Sequence, residues 1–143
     1  MEVQLAHSAR RLAYFHGLTM LPLLREGDEV ETEPVRAEQL RTGDVVTYRF
    51  EDKFPTRRVI AVDHERRTLL IMGDSIVSRR EFVVPFDDVL ARVVRRSRRG
   101  TWMTRDSLVW RLQTRRILLR EYTRRAVWLA LPRAAWRVIR SRR

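Results

Sequence analysis

One stretch of the chain gathers residue types suited to attack on a carbonyl: Gly17-Leu18-Thr19-Met20-Leu21-Pro22, followed by Gly27-Asp28. Glycine permits a sharp turn and close approach to a ligand. A hydroxyl beside it becomes a nucleophile when a neighbouring base takes its proton. The same residues also suit a structural role, in which Thr19 caps a short helix with Pro22 in the first turn. His7, His16 and His64 are the only imidazoles, and their spacing fits no metal site. His16 adjoins Gly17, whereas His64 falls in a polar turn. There is no cysteine, which excludes thiolate chemistry, and nothing in the residues calls for a metal or another cofactor.

A hydroxyl reacts only where the backbone holds it, so the flanking elements matter. Val3, Leu5, Ala6, Ala9, Leu12, Ala13 and Phe15 recur at near-helical intervals and predict a short N-terminal helix within residues 1–16. Strands are predicted over 28–32, 45–50, 57–62, 68–72, 82–84 and 89–94, where β-branched and aromatic residues concentrate. Gly-Asp recurs at 27–28, 43–44 and 73–74, each time beside a strand, as a repeated turn device. A mainly antiparallel β-domain over residues 17–95 is the expected result.

Residues 96–100 read as a basic hinge, and 101–143 as an Arg/Trp-rich helical tail. In the tail Leu108, Leu112, Leu119, Tyr122, Ala126 and Leu129 form one apolar stripe, with Arg111, Arg115, Arg120 and Arg124 around the other side. Trp110 and Trp128 are among the interleaved tryptophans. The net charge is +12, and Lys53 is the only lysine. Arginine-rich surfaces expect anionic partners. The tail therefore suits docking on the β-domain or a partner helix, an anionic membrane surface, or, less well, nucleic acid. The longest apolar run, Ala126 to Pro132, falls far short of the roughly 20 residues of a membrane span. Arg10 and Arg11 interrupt the place of a signal-peptide core. The expected location is the cytoplasm, or its membrane surface through the tail.

Taken in order, these segments resemble the signal peptidase I and LexA-like peptidases, the S24/S26 serine peptidase families. Their nucleophile motif, Gly-x-Ser-Met-x-Pro followed by Gly-Asp, reads here Gly17-Leu18-Thr19-Met20-Leu21-Pro22 and Gly27-Asp28. Gly43-Asp44-Val45-Val46 matches the next landmark. Arg57-Arg58-Val59-Ile60 stands where the family has Lys-Arg-Val-Ile or His-Arg-Val-Ile, and Gly73-Asp74 matches a late turn. Val89 to Val94 matches the closing strand, so the resemblance covers about residues 14–95. It implies a fold of coiled antiparallel β-sheets, with Thr19 in the nucleophile's place and Arg57 in the base's. Gly17, Met20 and Pro22 complete the motif, with Arg58, Asp74 and Arg80 along the cleft. Arg80 falls where histidine-using members carry an orienting acid, with Asp74 and Glu81 as alternatives.

Chemistry separates this chain from that pattern. Threonine's extra methyl restricts the hydroxyl, and a guanidinium stays charged with no lone pair to take a proton. The expectation is an impaired member that binds a peptide in its former active-site groove, where Arg57 and Arg58 would hold carboxylates. The alternative is an endopeptidase that uses Thr19, with His16 or His64 as substitute base, to process a leader or signal peptide. A third reading is a basic adaptor for nucleic acid.

Overall fold

The computed structural model describes residues 10–76 and 80–130, with side chains through residue 125. Among these residues eight strands precede one α-helix: β1 (Arg11–Tyr14), β2 (Glu29–Pro34), β3 (Val45–Tyr48), β4 (Thr56–Asp63), β5 (Thr68–Met72), β6 (Glu81–Pro85), β7 (Val89–Arg98), β8 (Thr101–Thr104) and α1 (Leu108–Ala130). Every pairing is antiparallel, in the order β1-β2-β7-β3-β4-β5-β6, with β8 also on β7. The long β7 holds the sheet together, pairing with β2 from Ala91 to Ser97, with β3 from Val89 to Arg92 and with β8 from Arg95 to Arg98.

Alternation along the strands supplies two cores. Val46 joins Leu40, Tyr48, Val59, Leu69, Ile71, Val84 and Phe86 in one of them. Its neighbour Val45 joins Phe15, Met20, Leu23, Leu24, Val30, Val93 and Trp110 in the other. Two of the Gly-Asp turns share one construction: the aspartate carboxylate accepts the backbone N–H three residues earlier, Arg25 for Asp28 at 2.8 Å and Arg41 for Asp44 at 3.0 Å. Gly27 and Gly43 take positive φ there, at 83° and 100°. The third pair departs from this device, since Gly73 is not at positive φ and Asp74 is buried in an ion pair.

Three expectations require correction. The N-terminal helix fails over residues 11–14, which form β1; residues 1–9 lie outside the described residues. Pairing with β2 and the bond from Phe15 N–H to the Asp28 carbonyl satisfy this backbone across the sheet, and of Leu12, Ala13 and Phe15 only Phe15 is buried.

Residues 96–100 are not a hinge. β7 continues through Arg98, and Arg99-Gly100, at φ 51° and 80°, make a two-residue hairpin into β8. The sheet ties this basic stretch down: Arg98 pairs with Asp28, Arg96 donates to the Leu23 carbonyl, and the preceding Arg95 pairs with Glu31.

The tail begins with β8, and its helix starts only at Leu108, capped by Ser107, whose Oγ accepts the Trp110 N–H at 3.3 Å. Its orientation inverts the obvious one. Trp110, Ile117 and Glu121 are buried, and Leu108, Leu112, Leu119 and Tyr122 are exposed. Specific polar bonds set this choice. Thr114 accepts from the buried Arg58, Arg120 donates to the Asp74 carbonyl, and Arg124 and Arg125 hold Glu81. No helix among the described residues is long and apolar enough to cross a membrane.

Candidate functional site

Thr19 sits in the loop between β1 and β2, which the second core holds firmly. Met20, Leu23 and Leu24 are fully buried, and the turn closes with Leu24 N–H on the Met20 carbonyl at 3.0 Å. The loop forms no helix for Thr19 to cap; it is a turn containing a cis Leu21–Pro22 bond. Arg96 Nε donates to the Leu23 carbonyl at 2.8 Å, and Arg98 grips Asp28 with Nε at 3.0 Å and Nη2 at 2.7 Å. Burial alone would push the Asp28 carboxyl up, but the bonds from Arg98 and the Arg25 N–H, with the charges of Arg98 and Arg96, hold it below the usual range. These two arginines are positioning residues that motif reading missed. The signal was the pairing of acids in residues 28–33 with arginines in residues 92–98.

Arg57, at the start of β4, meets Thr19. Its Nη1 donates to Thr19 Oγ1 at 2.9 Å and to the Thr56 carbonyl at 2.8 Å. Arg57 Nε is buried with no hydrogen-bond partner, and among the described residues no carboxylate pairs with this guanidinium. The late turn closes on the same loop through Ser75 N–H to the Thr19 carbonyl at 3.0 Å.

Arg57 and Thr19 line a cleft of about 840 Å³ with Gly17, β1, the end of β3, Phe50, Phe54, Pro55, Phe82 and Ala91. Gly17 turns the chain at its edge with φ 108°. The lining is mostly apolar, and Tyr14, Phe50 and Phe54 are exposed along it. Among the described residues β1 ends the sheet and pairs only with β2.

The neighbouring candidates do other work. Arg58 points to the opposite face of β4 and is completely buried. Its Nε and Nη2 bind the two Asp74 oxygens at 2.6 Å each, and its Nη1 reaches the Gly43 carbonyl and Thr114 Oγ1 at 2.8 and 2.7 Å. Arg58 therefore holds no ligand in the groove, and Asp74 orients no base there, which corrects both expectations. Arg80 lies over the Phe82 ring, 5.1 Å from its centroid, and Glu81 serves Arg124 and Arg125.

Of the imidazoles, His64 packs edge-on against Phe86 outside the cleft lining. His16 does line the cleft, where its Nδ1 bonds Glu26 Oε1 at 2.9 Å. The Gly17 N–H, which bonds Glu26 Oε2, and then His16 hold the Glu26 carboxyl below its usual range. His16 forms no hydrogen bond to Thr19, whose hydroxyl has Arg57 instead.

The site thus offers a hydroxyl, a guanidinium and apolar walls. A guanidinium donates and cannot receive the hydroxyl proton, so Thr19 and Arg57 together bind an anion better than they activate a nucleophile. In the tail, Arg111 and Arg115 are exposed, whereas Trp110, Arg120 and Arg124 face inward. The Trp128 side chain lies outside the described residues. Comparison with protein-family models finds no match, and neither does comparison with the curated proteins or with the solved structures.

Proposed function

We propose that this chain is a peptide-binding protein on a domain of the signal peptidase/LexA type, whose former active-site groove holds a peptide carboxylate instead of cutting a peptide bond. The observation that carries the reading is Arg57: its guanidinium is bonded to the Thr19 hydroxyl, lacks a carboxylate partner, and keeps a buried Nε donor unused inside an apolar cleft. An extended peptide adds along β1 through main-chain bonds, seats apolar side chains among Phe50, Phe54 and Phe82, and ends with a carboxylate on Arg57.

Titration with apolar peptides ending in a free carboxylate, an amide, or an amide with an internal acidic residue tests this. The free or internal carboxylate should bind about tenfold or more tighter than the neutral amide, the range of a charge-assisted hydrogen bond. Arg57→Gln should erase that preference. Equal binding of all three peptides would overturn the reading, as would cleavage products that disappear in Thr19→Ala.

One observation favours the second reading, a working endopeptidase: His16, backed by Glu26, lines the cleft that holds Thr19. On that reading cleavage is lost in both Thr19→Ala and His16→Ala, and its rate rises with pH through the imidazole range. A product-free digest of leader peptides by mass spectrometry excludes it.

A further inference from the structure

Helix α1 is built inside out. It docks on the sheet through a mixed face whose bonds are largely polar, and it turns its longest apolar stripe away from the protein. Leu108, Leu112, Leu119 and Tyr122 are 69%, 53%, 63% and 72% exposed, although they recur at the spacing that normally buries a helix. The inversion is enforced, because Thr114 satisfies the buried Arg58, and the bonds from Arg120 to the Asp74 carbonyl and from Arg124 to Glu81 fix the rotation of the helix. Turning the leucines inward would leave a buried guanidinium short of a partner.

The outward face is also strictly basic. Arg115 is exposed within the stripe, between Leu112 and Leu119, Arg111 and Arg116 are exposed on its two sides, and none of the three forms an ion pair among the described residues. The one acid in α1, Glu121, is buried and bonded to Arg124. Leucines and a tyrosine flanked by uncompensated guanidiniums suit one environment: an anionic lipid surface, whose acyl boundary takes the apolar side chains while its headgroups meet the arginines. A second copy of the chain fits poorly, since two such faces would bring guanidiniums together with no carboxylate between them.

We propose that α1 binds the surface of an anionic membrane, lying parallel to it with the Leu108–Tyr122 stripe inserted. The proposal is independent of the cleft. The experiment is flotation of the full chain with vesicles of phosphatidylcholine alone and of equal parts phosphatidylcholine and phosphatidylserine. Binding to the anionic vesicles should be at least tenfold tighter and should weaken with salt. The variant R111Q/R115Q/R116Q should lose about a hundredfold in affinity, roughly fivefold for each arginine. Leu112→Asn with Leu119→Asn should abolish binding. Both variants alter only outward side chains and should keep the wild-type melting temperature, so loss of binding at unchanged stability supports the proposal. Equal partition into both vesicle types would overturn it, as would undiminished binding of the triple-arginine variant. A dimer in sedimentation that the leucine variant dissociates would assign the face to a second copy instead, and salt-sensitive capture of duplex DNA without vesicle binding would assign it to nucleic acid.

Discussion

At the scale of single residues, one atom type decides what the cleft can do. The Arg57 guanidinium is a permanent donor 2.9 Å from the Thr19 hydroxyl, and donors attract anions. Asp28 shows how the surrounding charges are set. Its carboxyl is buried, yet the fork of Arg98 and the Arg25 N–H hold its proton affinity below that of an unfolded chain. A group whose folded pKa is depressed adds stability at pH values above its unfolded pKa of about 3.9, and that stability is lost as pH falls through the folded value. Urea denaturation of the wild type should therefore show a drop in stability on acidification below about pH 4, and Asp28→Asn should be less stable at neutral pH with a shallower acid dependence. An unchanged slope in that variant would mean other carboxylates carry the effect.

Elements are tied together at one buried node. Arg58 of β4 spans the late turn through Asp74, the earlier turn through the Gly43 carbonyl, and α1 through Thr114. Gly43 is irreplaceable on geometric grounds as well, because a Cβ there would lie 2.8 Å from Thr114 Cγ2 at a φ of 100°. The helix approaches the sheet closely at a point where only glycine leaves room. Removing one partner of a buried ion pair strands the other charge, so Arg58→Met should cost about 3–5 kcal/mol in chemical denaturation. Replacing Arg58 and Asp74 together by apolar residues should recover part of that loss, since no lone charge then remains buried. If the single variant costs less than about 1 kcal/mol, the node does not hold the elements as described.

Across the whole molecule, the core on the α1 side connects the helix to the candidate site, with Phe15 and Val30 belonging to that core and also lining the cleft. Trp110 packs with Met20, Leu23 and Leu24 of the Thr19 loop, whereas no described side chain of α1 lines the cleft. Trp110→Ala should cost about 3–5 kcal/mol in thermal or chemical unfolding, and it should also weaken peptide binding, because the loop that places Thr19 loses its support. Peptide affinity unaltered at a temperature where the variant is still folded would show that β7, through Arg96 and Arg98, positions the loop alone.

The residues themselves determined a good deal. β-branched runs beside Gly-Asp turns specified β2 to β7, six of the eight described strands, because a period of two and turn chemistry are local properties; β1 and β8 were not legible this way. The lack of cysteine removed thiolate chemistry, and the identity of Arg57 limited the chemistry of any site it enters, since a guanidinium's protonation hardly depends on its surroundings.

What remained undecided were the questions that depend on partners far along the chain. Two adjacent arginines look alike in sequence. Only the pleat of β4 sends Arg57 to Thr19 and Arg58 to Asp74. A run of arginines after Val94 resembles a hinge until Glu31 on β2 and Asp28 just before it are seen to pair with Arg95 and Arg98. The leucine stripe of α1 reads as a buried face by its period, and its actual exposure follows from polar bonds to Arg58, Asp74 and Glu81. Periodicity reports which side chains share a face; the direction of that face is set by what the opposite side must satisfy in the fold.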